Sequence, residues 1–430
     1  MSDRPTLAPG GGPWSPLSVR VFRWFWMVSF LSNIGSWMQL VTVPYVVDQL
    51  THSTAWVGVA AFCSLFPIAA TAPIAGAWAD RYARRRIAVL GQCTMLTSTL
   101  TLLVLWATGA ARPVSILACV MVSAVGTGIA NVSTTPLVSE LVPPHQFLAA
   151  LRLNVTQTYA ARAVGPAFAG MLLAAVGPGP AFAVNALTFL PLLLVLRVVP
   201  ATSTSHHEDG RAWRQFREGL SYVRAKPALA LCMRITGAVG FLGLSIIQLI
   251  EPLARHVLHR SAGEYGLLFG CYGAGAMSGA ILSVVLGQLV RGSRQAVVGF
   301  LATSASVVAL GLGSYGVALA AAAALGAASV VTNMAVITSC QANTDDAYRG
   351  RVHALLNVYF NGSVPLGALA GGLLAGVVGL RVVFVGAGAL GMVLLALLVR
   401  SSASLLALDR SATADPVVDE LALEALEAFD

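Results

Sequence analysis

Between Gly76 and Arg86 the chain reads Gly-Ala-Trp-Ala-Asp-Arg-Tyr-Ala-Arg-Arg-Arg, five charges set between two long apolar stretches. A carboxylate such as Asp80 can accept hydrogen bonds from the free backbone N–H groups at the start of a helix. Guanidinium groups such as those of Arg81, Arg84 and Arg85 can fork onto a carboxylate. That chemistry makes and breaks ion pairs rather than covalent bonds. A basic cluster that only fixes membrane topology would account for the arginines, but it leaves Asp80 unexplained. Two more acids, Asp48 and Glu251, stand at the ends of apolar stretches beside Pro44 and Pro252. They read either as gate or proton-carrying groups or as solvated helix ends. Arg162 and Arg234 lie inside apolar stretches, where a charge is costly and usually functional. Arg234, two turns from Lys226-Pro227, reads as a side chain that snorkels to the surface. Arg162 is deeper and is placed to draw an anionic group.

Bond-making chemistry has no such support. The sequence holds no HExxH, no nucleophile elbow, no phosphate-binding loop and no paired acids within an apolar stretch. Gly386-Ala-Gly-Ala-Leu-Gly391 has the spacing of a dinucleotide-binding loop, but it sits inside an apolar stretch with no strand before it. It reads as helix packing. The six cysteines are scattered singly, which excludes a disulfide framework and a zinc cluster. Neither an enzyme, a metal nor a cofactor is expected.

The elements that must position these residues follow from composition. Of 430 residues, 57% are hydrophobic and 10% charged, and the mean hydropathy is +0.78. A soluble domain carries roughly 25% charged residues, so lipid must solvate much of this surface. The basic excess is spread between apolar stretches and never forms a stripe, which argues against nucleic acid. A bilayer-spanning helix needs about 20 apolar residues. Twelve candidates run near 22–47, 54–79, 87–109, 113–141, 148–176, 181–198, 228–254, 264–290, 295–313, 315–341, 351–378 and 381–400. Residues 1–20 show no cleavable leader and are expected to be a disordered tail, with the first apolar stretch acting as an anchor.

Orientation follows from the basic residues. Only four of the 26, Arg112, Arg255, Arg260 and Arg381, fall in loops that follow odd-numbered spans. The even-to-odd loops and both termini are therefore expected on the cytoplasmic side of the cell inner (plasma) membrane. Residues 199–227 link the halves, and within them Arg211–Lys226 alternates aromatic and basic residues at helical spacing. This is either an amphipathic helix on the membrane surface or a solvated linker helix. Residues 401–430 form an acidic cytoplasmic tail.

The two halves, 21–198 and 228–400, repeat one another. At an offset of 208, Gly35, Pro44, Gly58, Arg86 and Gly91 meet Gly243, Pro252, Gly266, Arg294 and Gly299. At 202, Asn131, Gly170 and Gly177 meet Asn333, Gly372 and Gly379. Repeats around a midplane site are how many secondary transporters are built. The polar and aromatic residues Trp37, Gln39, Asn131, Phe241, Gln248, Asn333, Asn357 and Asn361 are then candidates for a mostly apolar central cavity.

The 76–86 motif resembles the signature loop of the major facilitator superfamily, departing from it at Ala83, where that family has glycine. The resemblance implies an all-α membrane protein of twelve transmembrane helices in two pseudo-symmetric six-helix bundles. It also implies a latch in which Asp80 caps span eleven and Arg84 pairs with Glu140 at the end of span four, stabilising an outward-open state. The second half, at Gly287–Arg294, lacks the acid. Arg162-Ala-Val-Gly165-Pro166-Ala-Phe-Ala-Gly170 is similar to the superfamily's antiporter motif, whereas Val122 replaces the arginine of its drug/proton branch. Ser32–Gln39, Leu141–Pro143, Arg217–Val223 and Arg349–Val352 resemble the branch that includes enterobactin exporters. The resemblance implies a monomeric exporter of a small amphipathic compound, a drug, siderophore or secondary metabolite, by proton antiport. An importer or facilitator, or a non-transporting receptor or scaffold, are the alternatives.

Overall fold

A computed structural model describes residues 14–198, 211–289 and 292–400; residues 1–13 and the acidic tail lie outside them. The described residues form helices joined by short turns. In the first half these are α1 (Arg20–Thr51), α2 (Thr54–Arg81), α3 (Arg84–Ala107), α4 (Pro113–Leu141), α5 (Phe147–Val176) and α6 (Pro178–Val198), preceded by a 3₁₀ turn at Ser15–Ser18. The linker helix α7 (Arg211–Ala225) follows. The second half holds α8 (Pro227–Ala238) with its short continuation α9 (Ile250–Pro252), then α10 (Ala262–Leu289), α11 (Gly292–Leu312), α12 (Tyr315–Ala342), α13 (Arg349–Val378) and α14 (Leu380–Arg400).

The ends of these helices are written in the sequence. Proline opens α4, α6 and α8, where its missing N–H costs nothing. Gly177 and Gly379, at equivalent places in the repeat, end α5 and α13 with φ of 81° and 87°, a backbone region that glycine enters without steric cost. Eleven of the helical stretches are long and apolar enough to cross a bilayer. The twelfth, α1, spans 32 residues but is diluted by Ser29, Ser32, Asn33, Ser36 and Gln39. The fold is the twelve-helix, two-bundle arrangement expected. Large apolar side chains such as Val377, Leu187 and Ile281 face outward, as lipid contact requires.

The seventh span departs from regular helix. After α8 the backbone passes through a π turn (Val239–Gly243), a 3₁₀ stretch (Leu244–Leu249), α9 and a second π turn (Leu253–Val257). Gly237, Gly240 and Gly243 weaken the helix there, and Pro252 removes a donor. The stretch is nonetheless deeply buried, so its backbone groups are shielded from lipid by neighbouring helices.

Packing repeats between the halves: α4 packs on α2 and α3, and α3 on α6, as α12 packs on α10 and α11, and α11 on α14. Across the halves, α2 packs on α13 and α5 on α10. Both seams close at the face opposite the linker. A methyl on Gly170 would lie 2.6 Å from Gly266 Cα, and one on Gly58 would lie 2.9 Å from Gly372 Cα. These backbones touch, which only glycine permits. Toward the linker face the seams relax, and a Cβ at Gly76, Gly350 or Gly362 would meet nothing within 4 Å.

Candidate functional site

The shut face and the relaxed face bracket a cavity of about 510 Å³. Its wall runs from Gln39 and Asn185 at mid-helix to Phe25, Ala88 and Leu196 near the linker face. Helix periodicity builds it. Ser29, Ser32, Asn33, Ser36 and Gln39 recur every three or four residues on α1, and Ser123, Thr127 and Asn131 do the same on α4, so each helix turns one polar stripe inward. Every lining residue belongs to the first half, and about half of them carry a hydroxyl or carboxamide. Of the expected cavity residues, Trp37, Gln39 and Asn131 line it. Phe241 is exposed, Gln248 buried and Asn333 half-buried, while Asn357 and Asn361 are exposed on α13; none of these five lines the cavity.

Beyond the cavity floor, at the shut face, Asp48 is fully buried and meets two basic side chains of the second half. His256 Nε2 lies 2.9 Å and Arg255 Nη1 3.3 Å from its carboxylate oxygens. His256 is residue 48 plus the repeat offset of 208, so this ion pair joins two equivalent positions and sits on the pseudo-twofold axis. Arg255 also borders a small cavity of about 150 Å³ with Glu251, Tyr45 and Tyr265. Glu251 is 2% exposed, and its Oε2 has no hydrogen-bond partner among the described residues. The Tyr265 hydroxyl donates to the Val41 carbonyl, and the Thr54 hydroxyl to that of Gly372, both across the halves.

Arg162 lies at the α5–α10 seam and does not line the cavity. Its guanidinium is stacked between the Trp37 and Tyr272 rings, 5.0 Å and 4.7 Å from their centroids, and donates to the Tyr272 hydroxyl. Gly165 lets α5 approach α1 closely, against Trp37 Cβ and the Ile34 carbonyl, while Pro166 and Gly170 face Gly266 of α10. The antiporter-like stretch thus forms a contact between the halves.

At the linker face, Arg84 Nη1 donates to Glu140 Oε1 at 2.8 Å. Arg85 stands beside it at the start of α3. Asp80 and Arg81 end α2, but their side chains fall outside the described part. The linker helix docks on the inner end of α13: Arg351 pairs with Glu218 at 2.9 Å, Tyr222 stacks on Tyr348 at 4.2 Å, and Lys226 reaches Asp345 at 3.2 Å. The Tyr222 hydroxyl and Lys226 hold the Asp345 carboxyl below its ordinary value, so this contact persists at neutral pH and weakens only as acid reprotonates Asp345.

Residues 11–424 match a family described as transmembrane secretion effectors. The chain belongs to that family. The chain is also similar to the enterobactin exporter EntS of Shigella boydii serotype 18 and to that of Escherichia coli O139:H28. Each is 25% identical to this chain over 372 residues, covering 82% of it and 85% of the relative. Solved structures share the fold. A bacterial homologue of the human lysosomal transporter Spinster, inward-facing and unoccupied, aligns with a TM-score of 0.66 at 18% identity over 91% of this chain and 96% of its own. The D-xylose–proton symporter reaches 0.71 at 13% identity, over 87% and 97%. This member of the secretion-effector family is therefore a multi-pass membrane transporter of the major facilitator type, related to exporters.

Two groups escaped the sequence reading. The α1 stripe of Ser29, Ser32, Asn33 and Ser36 carries a polar signal at helical spacing that hydropathy windows average away. His256 was legible only by applying the 208 offset to Asp48. For the linker-face motif, Asp80→Asn is expected to slow turnover several-fold while leaving membrane abundance unchanged, because it weakens a contact made in only one state. Arg84→Ala is expected to do less. With Arg84 and Glu140 33% and 17% exposed, their pair contributes about 1 kcal/mol or less. Flux per molecule in vesicles checks both, and equal flux for Asp80→Asn and the parent removes the latch.

Proposed function

We propose that the chain exports a small amphipathic solute, of the drug, siderophore or secondary-metabolite type, across the cell inner (plasma) membrane by proton antiport with alternating access. The observation that carries this is the asymmetry of access to the cavity. It reaches the linker face, while the opposite face is sealed by two symmetry-related glycine seams and the Asp48–His256 pair. The charge bias of the loops assigns the linker face and both termini to the cytoplasm, so the cavity loads from inside. Release requires the seams at the outer face to part while the Asp80, Arg84 and Glu140 region draws α2 toward α13. Asp48 and Glu251, at the outer gate, are placed to exchange protons with that side. The irregular seventh span, which carries Glu251, Arg255 and His256, is the element that can flex as they do so.

Relatives named as enterobactin exporters support the direction of transport. Inverted vesicles, with their cytoplasmic face outward, test the reading. An acid interior is expected to drive uptake of a solute selected by comparing efflux from cells with and without the chain. Collapse of the gradient with nigericin should abolish that accumulation. Uptake indifferent to the gradient would remove proton coupling, and net movement in the opposite sense would remove export.

A further inference from the structure

We infer that the cavity selects an uncharged solute bearing amide or hydroxyl donors, such as a peptide-like or polyhydroxylated compound, over a lipophilic cation. This rests on the transporter reading and narrows its substrate.

The wall holds no Asp, Glu, Lys, Arg or His among the described residues. A permanent ion entering it would shed water with no counter-charge to meet, which is unfavourable. Three charges of the same half are already engaged. Arg162 is stacked behind Trp37 and bonded to Tyr272, Asp48 is held by Arg255 and His256, and Arg84 is held by Glu140.

Hydrogen-bonding capacity, in contrast, is left open. The Gln39 carbonyl accepts from the Thr99 hydroxyl at 2.9 Å and the Asn185 amide at 2.6 Å. Those two bonds fix the carboxamide of a residue that lines the cavity. Gln157 donates to Asn154 at 2.7 Å, which leaves Gln157 Oε1 with no donor although the residue is 2% exposed. Gln92 Oε1 is likewise buried and unpartnered. Both oxygens are shielded as they stand, but turning either carboxamide into the cavity lets a ligand N–H or O–H satisfy it, which an analogue lacking the donor cannot do. The volume of about 510 Å³ suits a drug-sized molecule.

The test uses the full chain in lipid nanodiscs and three probes: a neutral cyclic dipeptide, its N,N′-dimethyl analogue, and tetraphenylphosphonium. Thermal-shift titrations are expected to show binding of the cyclic dipeptide, about tenfold weaker binding of the methylated analogue, and no shift with the cation. Gln157→Leu should erase the difference between the two dipeptides, with Gln92→Leu as the second variant if the first fails to fold. Gln39→Leu should weaken both dipeptides. Gln39→Glu, which adds the missing counter-charge, should bind the cation. Three results would each overturn the inference: tetraphenylphosphonium binding as tightly as the dipeptide, methylation without effect, or no dipeptide binding up to about millimolar. Reconstituted flux separates this from the export reading. A probe that binds with the expected selectivity but is not carried leaves the cavity chemistry standing and removes transport of that solute class.

Discussion

Replacing Gly372 with leucine is expected to lower flux by about tenfold or more at equal membrane abundance, with the outer face held apart. A Cβ at Gly372 would stand 2.7 Å from Gly58 Cα, and the obstacle is backbone on a helix that cannot yield locally. The remaining atoms of leucine can be placed only by separating α2 from α13. Overpacking of that kind costs about 1–3 kcal/mol. Here the cost falls only on the closed-outside state, so it becomes a population shift toward the open-outside one rather than a loss of fold. Gly266→Leu, at the symmetry-related seam, should act alike. Gly386→Leu is the control, because a Cβ there meets nothing within 4 Å. Nitroxide labels at His52 and Ser261, on a background lacking the native cysteines, report the outer face directly. Their separation should grow in the seam variants and stay unchanged in Gly386→Leu. Parental distances and flux in Gly372→Leu would mean that the glycine contact does not gate.

The same glycines show how far the sequence could be read. The repeat offsets identified Gly58 with Gly266 and Gly170 with Gly372 as equivalents. In the structure they are partners crosswise, Gly58 on Gly372 and Gly266 on Gly170. Equivalence is a property of the chain, whereas contact depends on how two bundles meet, and hydropathy carries no information about that. Helix number and order were legible because bilayer thickness imposes a length that composition must satisfy. The polar face of α1 lowered its apolar signal for the same reason that it matters, since those residues turn toward the cavity. The broken seventh span was invisible because π and 3₁₀ turns preserve apolar content and change only the hydrogen-bond register. The docking of α7 on α13 through Glu218, Tyr222 and Lys226 was likewise hidden, because an amphipathic pattern does not say whether its partner is lipid or protein.

The outer acids are where coupling is expected to separate from movement. Glu251→Gln should reduce pH-driven accumulation by about tenfold or more while sparing downhill exchange. Glutamine keeps the size and polarity of the side chain beside Tyr45, Tyr265 and Arg255, but it cannot take up and release a proton. Asp48→Asn should differ in kind. Asp48 is fully buried and is the carboxylate shared by Arg255 and His256, so its neutralisation leaves the Arg255 guanidinium without its counter-charge and His256 facing an amide. Removing one partner of a buried pair is far more disruptive than the pair is stabilising. The outer gate should therefore loosen, lowering accumulation and exchange together and lengthening the His52–Ser261 distance. The ratio of gradient-driven to downhill flux distinguishes the two roles, falling for Glu251→Gln and unchanged for Asp48→Asn. If Glu251→Gln retains full gradient-driven accumulation, the proton does not travel by Glu251. Asp48 and Glu264 would then be left as the other carboxylates at that face among the described residues.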